Sequence, residues 1–467
     1  MLERDKNIST EQKALSINLD EHKYGTIVEI GAGQEVARQF FKAGAAAGTI
    51  AKTSSAYDMT VSDAIYGKAG RYVSRERVHQ MLNLEFELCV NRLAEVRPSM
   101  STFFSYAATV TARSFKGGNE CHGWIGVRLQ LRPKEEPCEI VCHVRMLDNT
   151  NELQSEALGI LGVNLIYAAY NYSHKPKWLI ESLLDGIGQG RIEVDLIDFS
   201  GPGFSYVDNR LTNLYLVNSW LTRAVLFDES GTPVVPRDFL YKKPVAVMRS
   251  SFRLPTLVHT DMEHVGTQHL QKKAGVNPER IVRLAEVSMS QVMSNDKLDD
   301  NDFLLRVELA NAMGLPVLLS DYVRYFSLRS WFRRHTKEAI AILMKTGDVQ
   351  NYLFDLDFYN DLEGGALEGL GKLFADNTNV IVYPVEKDGA ITQLKDLQFA
   401  DNLKYVAQQV IHNNKLVDAE GYDPNLLGIS ARELMPTISD GPGAWEAALE
   451  PKVVELIKRK GLHGYQG

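Results

Sequence analysis

Four cysteines in 467 residues, Cys89, Cys121, Cys138 and Cys142, are too few to staple a chain of this size. That scarcity excludes a disulfide scaffold and fits a compartment that keeps thiols reduced. Positive charge is not in excess either. Lys and Arg number 51 against 59 acidic residues, for a formal net charge of -8. A nucleic-acid binder concentrates basic charge, so nucleic acid is not an expected partner. Long apolar runs are absent as well. The longest apolar helical stretch, 157–170, reaches about two-thirds of a bilayer-spanning length and contains Asn164. The first twenty residues are polar and lack the apolar core of a secretory signal. A cytoplasmic protein with no membrane partner is expected.

What is present is ordinary globular material, 45% hydrophobic and 24% charged. A polar segment, 1–23, leads into a strand at 24–30 and a helix at 34–47. A helical period follows at 75–95, where Val78, Met81, Leu82, Cys89 and Leu93 share a side that Glu85 interrupts. Residues 102–113, 121–131 and 138–147 are rich in β-branched and aromatic residues and read as strands. Arg-Pro-Lys-Glu-Glu-Pro joins the last two as a hairpin. Further strands are expected at 191–199, 224–227, 244–249, 317–319 and 379–383. Helices are expected near 152–170, 209–222, 279–294, 300–313, 322–345, 365–375, 397–413 and 451–460. The fold class is α/β: a mixed sheet with an antiparallel hairpin in a domain at 24–255, plus a mainly helical part at 256–467.

The first strand runs into Gly31-Ala32-Gly33 ahead of a helix, a place where backbone amides can hold an anion. A dinucleotide fingerprint needs a third glycine where Val36 stands, and a Walker loop needs Gly-Lys-Ser/Thr. Neither is satisfied. A tight turn beside a closely packed helix remains the simpler reading, with Gly44 and Gly48 adding to that packing. "AVLFDESGTPVVP" approaches a phosphatase-type nucleophile loop at Asp228, but Ser230 stands where a second aspartate is needed, so a plain turn is expected.

Cysteine and histidine cluster on the hairpin as Cys121-His122 and Cys138-x₃-Cys142-His143. A symmetric closure sets Cys138 opposite Leu131, about 34 Å along the strand from Cys121, so no metal site is expected. The same register gives one apolar face. The other face carries His122, Trp124, Arg128, His143 and Arg145, with Trp124 opposite Arg145. Two readings stay open for it: a sheet face whose charges pair with each other, or a surface for an anionic ligand.

Seven stretches, among them "KYGTIVEIGAGQEVARQFFKAGAAAGTIAKTSSAYDM", "NECHGWIGVRLQL", "HVRMLDNTN" and "LYKKPVAVMRSSFR", together resemble a large bacterial family over nearly the whole chain. Its members often carry the names TonB-dependent receptor or nicotinate-nucleotide adenylyltransferase. The residues support neither name. A receptor barrel needs some twenty-odd amphipathic strands, and such a transferase needs an early His-x-x-His-type phosphate motif. His259, His264 and His269 come late and in a helical context. The resemblance implies a soluble member of that family and transfers no catalytic residue.

The functional expectation is binding of a phosphorylated or nucleotide-like small molecule, with or without catalysis, and no particular cofactor is implied. The binding groups expected are Gly31, Gly33, Lys52, His122, Trp124, Arg128, His143 and Arg145, with Asp148 as acid/base. The alternative is a self-assembling structural protein. "SDYVRYFSLRSWFRRH" packs aromatics among arginines, a composition that subunit interfaces favour, so a homo-oligomer is expected.

Overall fold

A computed structural model of the protein describes residues 8–114, 116, 118–294, 297–387 and 389–466. The chain divides into two compact units, Met1–Thr222 and Arg223–Gly467, whereas the sequence suggested a cut near 255.

The first unit is built on a six-stranded mixed sheet. Its strands are β1 (Lys23–Gly31), β2 (Ile50–Ser54), β3 (Thr102–Val110), β4 (His122–Leu129), β5 (Cys138–Met146) and β6 (Ile192–Ser200). Their spatial order is β2-β1-β3-β4-β5-β6. β1 runs parallel to both neighbours, and the β3 to β6 ladders are antiparallel. The helices are α1 (Thr10–Asn18), α2 (Val36–Ala43), α3 (Met59–Tyr66), α4 (Arg75–Leu93), α5 (Asn151–Asn171), α6 (Pro176–Ser182) and α7 (Asn209–Asn218). Ser74 caps α4 and Thr150 caps α5, each accepting an amide of the first turn. α5 shows no polar stripe, because it is buried nearly all round. Glu85, the interruption in the α4 stripe, is buried and accepts from the Tyr66 hydroxyl at 2.9 Å.

The hairpin register differs from the symmetric one. Cys138 pairs with Leu129, Trp124 with His143 and His122 with Arg145. The shift is two residues, so each side chain keeps its expected face while each cross-strand partner changes. The expected Trp124–Arg145 pair does not form. Cys121 and Leu129 are eight residues apart, about 27 Å, which still separates Cys121 from Cys138. All four cysteines are buried free thiols.

The second unit holds an eight-stranded sheet ordered β18-β15-β14-β9-β10-β13-β7-β8. β7 (Ala224–Phe227) and β8 (Pro233–Val234) form an antiparallel edge. Asp228 shapes the turn between them by accepting from the amides of Ser230 and Thr232, both at 2.9 Å. The other six strands are parallel: β9 (Val245–Arg249), β10 (Val282–Ser288), β13 (Val317–Ser320), β14 (Ile340–Lys345), β15 (Thr378–Tyr383) and β18 (Leu416–Asp418). Two small ribbons complete the strands, β11 (Met293–Ser294) with β12 (Lys297–Leu298), and β16 (Val385–Lys387) with β17 (Ala390–Thr392). Beyond residue 256 the protein is therefore richer in strand than periodicity suggested. β10 and β14 lie where helices were expected at 279–294 and 322–345.

Helices α8 (Pro236–Leu240), α9 (Leu257–Ala274), α10 (Met289–Val292), α11 (Asp300–Ala312) and α12 (Tyr325–His335) alternate with these strands. α12 and the helices Gly365–Leu373 and Lys404–His412 share one apolar core on one face of the sheet. α9 lies on the other face, where Gly266 lets it approach: a Cβ there would sit 2.9 Å from Leu343. No helix among the described residues is long and apolar enough to cross a membrane.

Candidate functional site

Two places gather polar chemistry, one in each unit. On the first unit's sheet, the face packed by α4 carries most of the residues expected to bind an anion. Arg145 donates to Glu120 at 2.8 Å and to Glu193. Arg128 pairs with Glu139 at 3.3 Å, a carboxylate that also meets His79. Arg75 reaches Asp198 at 2.5 Å. Arg128 stands six residues from His122 on β4, about 20 Å away, so these groups do not converge on one point. Each of these guanidiniums already has a carboxylate partner, the arrangement of a self-paired sheet face.

The remaining expected residues take structural roles. Gly31 has φ +85° and a Cβ there would lie 2.0 Å from the Val110 carbonyl. A Cβ on Gly33 would lie 2.4 Å from Leu158 of α5. The α2 amides that an external anion would need are taken by the protein's own carboxylate. Glu29 accepts from Val36 at 3.0 Å and from Ala37 at 3.2 Å. Burial outweighs those hydrogen bonds and pushes the Glu29 carboxyl up to about 7. The glycine loop is thus a packing turn. Gly44 and Gly48 pack against nothing, since a Cβ at either would meet open space. Lys52 pairs with Glu85 at 2.5 Å. Asp148 accepts from Arg191 at 2.8 Å, which ties it to a salt bridge rather than to the imidazoles. What this face does bring together is His122, His143 and a residue the sequence reading missed, Asp195.

The second place lies at the carboxyl ends of the parallel strands of the second unit. β9 and β14 are adjacent, yet their following connections leave in opposite directions along the sheet, to β10 on one side and β15 on the other. Such a reversal opens a crevice at the strand ends. A cavity of about 1120 Å³ sits there, and a smaller one of about 290 Å³ adjoins it, with Ser250, Ser251, His259 and Lys345 lining both. Ser250 follows β9, Lys345 ends β14, Tyr383 ends β15, and His259 lies in the first turn of α9. His264 and His269, further along α9, do not line it.

Lys345 decides the electrostatics. Its ammonium makes no hydrogen bond or ion pair among the described residues, although Asp348, three residues on, supplies an opposing charge. Burial holds the Lys345 ammonium below its ordinary value and lifts the Asp348 carboxyl above its own. Beside them, burial and then the Lys345 charge push His259 down to about 3, so its ring is neutral. The Thr256 amide donates to His259 Nδ1 at 3.1 Å, which leaves the ring proton on Nε2, 2.9 Å from Ser250 Oγ. In that tautomer the imidazole donates to Ser250 and does not act as its base. The serine hydroxyl is then an acceptor toward His259. The α9 amino terminus adds the positive end of an 18-residue helix.

Two buried charged groups near this crevice are paired, whereas Glu386, Arg432 and Glu433 on its rim are exposed to solvent. Arg249 pairs with fully buried Glu286, which also accepts from Ser320 at 2.6 Å. Tyr383 donates to Asp261 at 2.5 Å. The β9–α9 connection, Ser-Ser-Phe-Arg-Leu-Pro-Thr, contains no glycine, and the acid on β10 is already engaged, so the usual dinucleotide fingerprint is missing in structure as in sequence. Arg-Ser-Ser after an apolar strand was the visible signal, though Lys345 was hidden in a segment read as helix.

No protein-family model matches the chain, and no curated protein does. Among solved structures, the chain is similar to a competence-damaged protein (CinA) superfamily protein from Escherichia coli, at 13% identity and TM-score 0.25, over 36% of this chain and 94% of that one. It is similar to a competence or damage-inducible protein from Enterobacter asburiae, at 13% identity and TM-score 0.26, over 35% and 100%. A competence/damage inducible protein from Agrobacterium tumefaciens gives 14% identity and TM-score 0.25, over 36% and 98%. Likeness at this level carries no argument about function. The two names attached to the family resembled in sequence gain no support from these comparisons.

Proposed function

We propose that the protein binds a phosphorylated or nucleotide-like small molecule in the crevice at the carboxyl ends of β9 and β14. One observation carries the reading: a partly buried ammonium, Lys345, that among the described residues makes no hydrogen bond or ion pair, in a cavity of about 1120 Å³. Burying a charge that makes no hydrogen bond is costly even with Asp348 nearby, and such groups cluster where a ligand supplies the partner. Ser250 and the α9 amino terminus offer neutral donors to the same anion. The parallel order is that of doubly wound nucleotide-binding sheets, an analogy of fold that adds weight but assigns no chemistry.

A self-assembling reading drew its support from "SDYVRYFSLRSWFRRH". In the structure Tyr325, Leu328, Trp331 and Phe332 are buried in the second unit's core. Arg329 pairs with Asp376, and Arg333 donates to Asn377. That segment no longer argues for a subunit contact.

Thermal denaturation with inorganic phosphate and with a nucleoside monophosphate tests the binding reading. Stabilisation should grow with ligand concentration as mass action requires. Lys345→Met should abolish it while raising the stability of the free protein by about 1 kcal/mol, since a desolvated charge is replaced by an apolar chain of similar length. Undiminished stabilisation in Lys345→Met would place the site elsewhere.

A further inference from the structure

The segment that follows β14 carries more than Lys345. Thr346–Asp348 forms one short helical turn, and Val349–Leu353 continues it as a π-helical turn. Such widened turns are frequent at functional sites. Thr346 pins the segment by donating to the Thr392 carbonyl at 3.1 Å, and Val349 and Leu353 are buried in the second unit's core. Tyr352, between those two, stays 44% exposed. One continuous stretch, 345–352, therefore brings an ammonium, a carboxylate and a phenol ring to the cavity of about 290 Å³.

That volume lies at the lower end of ligand pockets and suits a planar ring system rather than a whole nucleotide. Met248, Met262 and Leu343 give the cavity apolar walls, and Gln291 and Asp348 give it a polar edge. Gln291 accepts the Ser288 amide through Oε1 at 3.2 Å, which leaves its Nε2 hydrogens as donors. The Asp348 carboxylate receives the Lys345 backbone amide and, among the described residues, no side-chain donor. Its two oxygens have capacity for further N–H groups. A donor beside a two-oxygen acceptor is the complement of the guanine edge, which offers one carbonyl beside two N–H groups. Adenine, cytosine and uracil each offer a single donor group there. We propose that the smaller cavity is the base subsite for a guanine nucleotide, with Asp348 accepting from N1–H and the 2-amino group, Gln291 donating to O6, and Tyr352 stacking on the ring. The assignment rests on the phosphate reading of the crevice. Lys345 and Ser250 line both cavities, so a phosphate held there and a base in the smaller cavity belong to one molecule.

Calorimetric titration of the full-length protein with guanosine monophosphate, adenosine monophosphate and ribose 5-phosphate tests the subsite. The guanine nucleotide should bind about tenfold or more tightly than the other two. Tyr352→Ala replaces an exposed side chain, so the fold should persist. It should weaken the guanine nucleotide about fivefold or more and leave ribose 5-phosphate unchanged. Asp348→Asn exchanges one acceptor oxygen for a donor, which suits xanthine, with its carbonyl at the 2-position. That variant should favour xanthosine monophosphate over guanosine monophosphate, a gain that loss of folding cannot imitate. If Asp348→Asn does not fold, Tyr352→Ala alone decides. Equal binding of guanosine monophosphate and ribose 5-phosphate by the wild type overturns the base subsite while the phosphate reading stands. A guanine preference that survives either substitution in folded protein also overturns it. Failure of ribose 5-phosphate and all three nucleotides to bind removes the phosphate reading, and the base subsite with it.

Discussion

The two sheets treat charge in opposite ways. On the first unit's sheet, Arg75, Arg128 and Arg145 each meet a carboxylate, and the face that looked like an anion surface neutralises itself. At the strand ends of the second unit, Lys345 makes no ion pair among the described residues, beside a neutral histidine and a large cavity. Composition does not separate these places, since both offer basic residues, histidine and aromatics. Pairing does. A guanidinium with a carboxylate at hydrogen-bond distance is already spent on the fold, whereas the Lys345 ammonium, with only the nearby charge of Asp348, makes no such bond among the described residues.

That contrast can be attacked first where the second unit does pair its charges. Glu286→Ala leaves Arg249 desolvated and Ser320 without its acceptor, so a loss of about 3–5 kcal/mol is expected by urea denaturation. A loss below about 1 kcal/mol would mean that burial at these strand ends does not penalise unpaired charge, and would weaken the case for Lys345.

Glu29 gives the next largest effect and tests a buried charge in the first unit. Its carboxyl titrates near 7 when folded, against 4.5 as the ordinary value. Between those values the folded protein binds more protons than the unfolded chain, so stability falls as pH rises from about 4.5 to about 7. The part due to Glu29 is on the order of 3 kcal/mol. Denaturation of wild type and Glu29→Gln at pH 5 and pH 7.5 isolates it: their difference should change across the window. A constant difference would show that the α2 amides hold the carboxylate ionised throughout.

The smallest effect belongs to Arg128→Ala, expected to cost less than about 1 kcal/mol because this ion pair is partly open to solvent. The substitution should leave any stabilisation by phosphate intact, unlike Lys345→Met. Loss of phosphate binding in Arg128→Ala would return the anion site to the hairpin face.

Much of the first unit was legible from local pattern. Alternation along 121–131 and 138–147 set which residues share a face, because side chains alternate sides whatever the partner strand does. The same alternation could not set the register. Loop geometry moved the pairing by two residues, replacing Trp124–Arg145 with Trp124–His143. Nor could it show Asp195 joining the histidines, since the bulge that turns it is a property of the β5–β6 ladder. The strand–glycine–helix order around Gly31 was legible too, but its anion is Glu29, from the same strand, reached only when the chain folds back.

In the second unit the sequence by itself determined which residues are apolar and where turns fall. It did not determine that "RIVRLAEVS" and "AIAILMK" are strands. Both are buried on two faces, so neither shows the alternation that marks a half-exposed strand, and a short continuous apolar run reads equally well as a buried helix. Only the tertiary structure decided between them, by supplying parallel neighbours for backbone groups that a buried strand cannot satisfy alone. That decision placed Lys345 at the end of β14 and β14 beside β9, and so made a crevice from residues nearly a hundred positions apart.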